Sequence, residues 1–323
     1  MARDTFIFGN GLGRALNNNY FKLSSGLEYV WDNSQTFSDA DKKLVISALD
    51  GVTEQEYPES EEQLGQLQLA IIASNFLGSL EHDDVEWLND NSRKIPSVFN
   101  KFVHEVGCYF HNSGESLPES FINSLADHVR ETSSHVAVLN YDNLLYDGLY
   151  KKGLLRGYDD TLNDGFRRDG FSPDYLDRFR QSRQAWYMHL HGSPLFIGDK
   201  KLMRDERDDI QPNEKSQIVL THVKHKPMLI SSSKILSEYW RRLSIAIGES
   251  GRVILFGYSG CDEHLNEIVK EKAGEKEVVV VSRKTEDGGE NTLREYWENV
   301  FENCNVNLRA FEDVLSVECW SEL

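Results

Sequence analysis

Residues 5–13 read Thr5-Phe6-Ile7-Phe8-Gly9-Asn10-Gly11-Leu12-Gly13, an apolar run that passes directly into three alternating glycines. A short stretch that is apolar on successive positions predicts a strand covered on both faces, as in a parallel sheet between helix layers. Glycines at such a strand end have two readings. Either they let backbone N–H groups approach a pyrophosphate at a helix N-terminus, or they only make a tight strand-to-helix turn. The fingerprint of hydride-transfer enzymes, G-x-G-x-x-G/A, is not completed. Gly9 and Gly11 begin it, but Arg14 stands where Gly or Ala lets helix and strand pack closely, and a start at Gly11 places Leu16 there instead. Glu28 is a distant candidate for the ribose-binding acid, but no clear strand carries it.

The strand pattern recurs at residues 136–139 (VAVL), 252–256 (RVILF) and 277–281 (EVVVV), with a further strand-like run at 186–190. Helix-like stretches at 12–18, 142–150 and 262–273 follow three of the strands. Strand-turn-helix repeated in this way predicts an α/β fold, a doubly wound parallel sheet of Rossmann-like type. Between the first two strands the periodicity is helical: Leu64, Leu67 and Ile71, then Phe99, Phe102, Val103 and Val106, then Phe121, Leu125 and Val129. We expect a helical insertion subdomain at about 36–131, entered through the solvated acidic loop 54–62, and a loop-rich excursion at about 153–215. The whole of 1–323 reads as a single domain.

A net charge of −18, from 53 acidic against 35 basic residues, argues against direct nucleic-acid binding. No run of eighteen apolar residues predicts a membrane span, and the first strand begins too early for a signal peptide to precede it. Four cysteines without a C-x-x-C pair predict a reducing, cytoplasmic location with small buried thiols and no disulfide framework.

Polar residues gather where the strands end. Asn140, Tyr141 and Asp142 follow the second strand, where they either face a ligand crevice or cap the next helix. His189 and His191 alternate and should share a face. They read as a metal pair with His222 and His225, or as one catalytic histidine, His191, beside Gly192-Ser193. Gly257-Tyr258-Ser259-Gly260 ends another strand, with Asp262 at the start of a helix, and Ser282 ends the last.

Taken in order, Gly9-Asn10-Gly11, Asn140-Tyr141-Asp142, His191-Gly192, Gly257-Tyr258-Ser259 and Val281-Ser282 resemble the sirtuin superfamily, over about residues 5–285. Protein-deacylating sirtuins carry four zinc-binding cysteines between the His-Gly and Gly-x-Ser motifs; here that interval holds none. The spelling is closer to the zinc-free, sirtuin-like domains of bacterial anti-phage systems, which hydrolyse NAD+ to nicotinamide and ADP-ribose. The resemblance implies a sirtuin-type NAD+ hydrolase without zinc. It implies the separate-subunit kind, an oligomer that assembles with a partner such as a HerA-type ATPase. By the same resemblance Asn140 positions the ribose hydroxyls or the water, His191 acts as base or hydroxyl partner, and Asp142 orients the site. Gly9, Asn10, Gly11, Leu12, Gly13 and Ser259 would hold the pyrophosphate and ribose. Tyr141, Gly257, Tyr258, Asp262 and Ser282 complete the expected NAD+ contacts. Arg283 and Lys284 stand near the expected adenosine end, where they contact it or are surface charge. Two rivals stand beside this reading: an NAD-dependent protein deacylase, and a non-catalytic subunit that senses NAD+ or ADP-ribose.

Overall fold

The computed structural model describes residues 2–49, 57–78, 90–155, 160–178, 183–202, 210, 212–213, 215–284 and 289–323. From the N-terminus, β1 (Asp4–Phe8) leads into six helices: α1 (Gly11–Leu16), α2 (Leu23–Asn33), α3 (Asp39–Ser47), α4 (Glu61–Gly78), α5 (Asp90–His111) and α6 (Glu119–Thr132). β2 (His135–Val138) and α7 (Leu144–Lys151) follow. Next come β3 (Leu162–Asn163), a hairpin of β4 (Phe166–Arg167) and β5 (Gly170–Phe171), and β6 (Ala185–His189). A small antiparallel sheet is made by β7 (Gly192–Ile197), β8 (Lys200–Lys201) and β9 (Ser216–Ile218). Then α8 (Lys226–Ser232) and α9 (Lys234–Glu249) return the chain to the centre. There β10 (Arg252–Phe256), α10 (Glu263–Ala273), β11 (Glu277–Arg283), α11 (Glu290–Val300) and β12 (Asn305–Phe311) complete the main sheet.

That sheet has seven strands, all parallel, in the order β12-β11-β10-β1-β2-β6-β3. Its central strands are built of residues that must lose water on both faces. Phe6, Ile7 and Phe8 of β1 and Val278 to Val281 of β11 are fully buried. On one face Phe6, Phe8 and Phe256 meet Phe121 of α6 and Trp320, with Trp320 ring centroids 5.2–6.4 Å from the others. α9 packs against β1, β6 and α10. This is a doubly wound α/β architecture of Rossmann-like type, as the strand pattern predicts. The chain builds outward from β1 on one side, then returns to its other flank as β10. Strand order therefore reverses between β1 and β10, and such a reversal opens a crevice beyond the carboxyl ends of the two strands.

The four expected strands are all present, within two residues of their predicted ends. The helical region divides differently from the predicted 36–131. α2, which begins earlier, joins α3 and α4 around α5, whose predicted stripe of Phe99, Phe102, Val103 and Val106 is buried. α6 instead lies against the sheet face through Phe121. The 153–215 region is less irregular than expected, since it supplies β3 to β8; residues 203–209 of its charged stretch, and 54–56 of the acidic loop, lie outside the described residues. Only Cys108 of the four cysteines is a buried thiol, pushed up to about 12 by burial; Cys261 and Cys319 are exposed. No helix among the described residues is long and apolar enough to cross a membrane.

Candidate active site

A cavity of about 820 Å³ opens at the β1/β10 crevice. All the predicted site residues line it except Leu12 and Gly13. Leu12 is fully buried in the core, and Gly13 packs on Phe21, where a methyl group would come within 2.8 Å of the ring.

The glycine turn serves the protein first. Gly9 N–H donates to Phe256 O (2.9 Å), Gly11 N–H to Gly257 O (2.8 Å) and Leu12 N–H back to Gly9 O (3.1 Å). A Cβ at Gly9 or Gly11 would lie 2.7 or 2.6 Å from Gly257 O, and Gly257 itself has φ +59°, in the left-handed region. These glycines therefore let the β1 turn rest directly on the β10 turn. The N–H groups of Gly9, Gly11 and Leu12 are thus already paired within the protein.

Asn140 emerges from the end of β2. Its Nδ2 donates to Gly9 O at 3.1 Å, which fixes the amide orientation because a carbonyl only accepts. Its Oδ1 is buried and has no partner. Two residues on, Asp142 accepts from Leu144 N–H at 3.1 Å, which satisfies the first N–H of α7 from the position before the N-cap residue, Asn143. Asp142 nevertheless lies in the cavity wall, and burial raises its carboxyl to about 6 against weaker opposing help from Leu144 N–H and the Asn140 amide. Between them, Tyr141 is pinned by its hydroxyl, which donates to Val219 O at 2.7 Å.

His189 and His191 do not act as a pair. β6 ends at His189, whose ring packs among Tyr146, Tyr187 and Phe196. His191 lies beyond the strand end, with Nε2 at 2.9 Å from Asp262 Oδ2. Gly192 is obligatory beside it: its φ is +82° and a Cβ would collide with Gln217 O at 1.6 Å. Asp262 caps α10, its Oδ1 accepting from Leu265 N–H at 3.1 Å. Burial works against its ionisation, but the His191 hydrogen bond and the charges of His191 and Lys226 hold its carboxyl well below the usual range. An ionised carboxylate on Nε2 makes that nitrogen the donor, so Nδ1 is the ring nitrogen that faces away from Asp262. Tyr258 steadies the same corner, accepting from Asp262 N–H (2.9 Å) and donating to Asn266 Oδ1 (2.8 Å). Ser259 and Ser282 line the outer cavity. Among the described residues, no three His, Cys, Asp or Glu side chains are grouped to hold a metal ion.

The strand-end logic overlooked Lys226 and Glu61, which also line the cavity. Neither stands next to a strand end or in a recognisable motif, so only the packing of α4 against residues 222–226 reveals them. Arg14, read in the sequence only as a flaw in a fingerprint, is a wall residue too. No protein-family model and no curated protein matches the chain.

Proposed function

We propose that this protein is an NAD+ glycohydrolase of sirtuin type, with α2 to α5 as its helical insertion, cleaving NAD+ to nicotinamide and ADP-ribose. The observation that carries the reading is the buried, unpartnered Oδ1 of Asn140. It shares one cavity with the His191–Asp262 pair and a carboxyl poised near neutrality. A buried acceptor without a partner costs about 1–3 kcal/mol, a cost that a ligand hydroxyl or a water can relieve.

In this reading the ribose hydroxyls, or the attacking water, donate to Asn140 Oδ1. The bond from the ribose anomeric carbon to the nicotinamide nitrogen breaks, its electron pair neutralising the cationic ring, so the leaving group needs no acid. Positive charge grows on the ribose, as in glycoside hydrolysis. Water oxygen bonds to that carbon and gives its proton to His191 Nδ1, and Asp262 stabilises the resulting imidazolium. Asp142 holds the Asn140 amide in place. On the motif resemblance, the proposal extends to a bacterial cytoplasmic effector of an anti-phage system, an oligomer activated by a partner such as a HerA-type ATPase.

The test is NAD+ consumption by the chain with and without the product of its genomic neighbour. Turnover is expected in at least the assembled form, with Asn140→Ala and His191→Ala each abolishing it while far-UV circular dichroism stays unchanged. Unchanged turnover in both variants overturns the assignment. Tight NAD+ binding without turnover in the assembled complex identifies a sensing subunit instead. O-acetyl-ADP-ribose formed from an acetylated peptide identifies a deacylase.

A further inference from the structure

Of the cations that line the cavity, Arg14 and Arg283 are exposed, whereas Lys226 is only 4% exposed. A buried ammonium requires close anionic partners. Among the described residues Lys226 Nζ has two, Asp262 Oδ2 at 3.5 Å and Glu61 Oε2 at 3.4 Å. Both are longer than the roughly 2.7–2.9 Å of a well-made ammonium–carboxylate bond. Asp262 Oδ2 is also the closer partner of His191, at 2.9 Å. The charge of Lys226 is thus balanced while its hydrogen-bonding capacity is only loosely used.

Glu61 is brought there by a device in α4. One turn further along the helix, Gly65 faces His222, and a Cβ on it would sit 2.5 Å from His222 Cβ. Glycine lets α4 lie directly on the segment that carries Lys226, so the first residue of α4 reaches into the cavity.

We infer that Lys226 is an anion subsite for a phosphate oxygen, and that Glu61 occupies it as a built-in competitor. The inference rests on the dinucleotide reading for its physiological ligand, the phosphate nearest the nicotinamide ribose. An ammonium is repelled by a ribose that is becoming positive, so it belongs on the phosphate side. Because Lys226 and His191 contact the same carboxylate oxygen, a phosphate held there lies next to the imidazole. A phosphate oxygen, carrying charge and several lone pairs, satisfies the loosely used N–H groups and displaces Glu61.

Inorganic pyrophosphate is the probe, titrated calorimetrically into the full chain at low salt, so that the readout is independent of catalysis. The wild type is expected to bind it. Lys226→Met should weaken binding roughly tenfold or more, Lys226→Arg should retain it, and Glu61→Gln should tighten it several-fold. Failure of the wild type to bind, a folded Lys226→Met that binds as well as wild type, or a Glu61→Gln that binds no tighter each overturns the subsite. Should Lys226→Met not fold, the Glu61→Gln arm decides alone. A protein that behaves as expected here yet never consumes NAD+ retains the subsite and loses the glycohydrolase assignment. One that consumes NAD+ without the Lys226 and Glu61 effects does the reverse.

Discussion

Asp142 shows how a single side chain carries two roles that the sequence presented as alternatives. It accepts the first N–H of α7, from Leu144, and stands in the cavity wall. Burial lifts its carboxyl from 3.8 to about 6. Between those values the folded protein retains a proton that the unfolded chain has lost. Its contribution to stability is therefore full below about pH 4 and falls as pH rises through about 6. The cost of keeping it ionised at neutral pH is of order 3 kcal/mol. Asp142→Asn keeps the acceptor for Leu144 and removes the charge, so its stability relative to wild type should grow from pH 4 to 7 by up to about that amount. Urea denaturation of both proteins across that range measures it, and a difference that does not change with pH refutes the assigned burial cost. Asn140 and His191 were legible in the sequence because both follow buried strands. The unpartnered Oδ1 and the Asp262 hydrogen bond were not, since they depend on groups 131 and 71 residues away.

At the scale of elements, two turns hold the crevice in shape. The turn after β1 and the turn after β10 approach so closely that Gly9, Gly11 and Gly257 have no room for a side chain. Gly257→Ala combines a left-handed φ of +59° with a Cβ 2.8 Å from Leu12 N. We expect it to cost roughly 2–3 kcal/mol and to weaken ligand binding, because the strand ends that carry Asn140 and Asp262 are referenced to these turns. Thermal unfolding checks the first effect, and a melting temperature equal to wild type would contradict the contact described. The glycine pattern was visible in TFIFGNGLG, but its cause was not. A local sequence cannot distinguish a glycine that admits a phosphate from one that admits another stretch of its own backbone. β12 was missed for a different reason. An edge strand is half solvated, and Asn305, Asn307 and Arg309 break the apolar run that marked the interior strands.

Across the whole molecule, distant segments close one core. Trp320 is 1% exposed and packs on Phe6, Phe8, Phe121 and Phe256, so a residue near the end of the chain seals the sheet face opened by β1. Trp320→Ala should lose about 3–5 kcal/mol, read as a fall in the urea midpoint, with loss of ligand binding only as the protein unfolds. A change below 1 kcal/mol would show that this segment is peripheral to the fold. The sequence by itself determined the interior strands β1, β2, β6, β10 and β11, because burial on both faces demands consecutive apolar residues, and it marked the polar strand ends. The alternation of those strands with helices was enough to establish a doubly wound sheet. Only the tertiary structure decided that β10 returns beside β1, and hence where the crevice lies, since strand order is a choice among long-range pairings of similar apolar segments. It also decided which polar residues face one another. His191 meets Asp262 and Lys226 meets Glu61 through helix packing, and no local pattern encodes a distance between elements far apart in the chain.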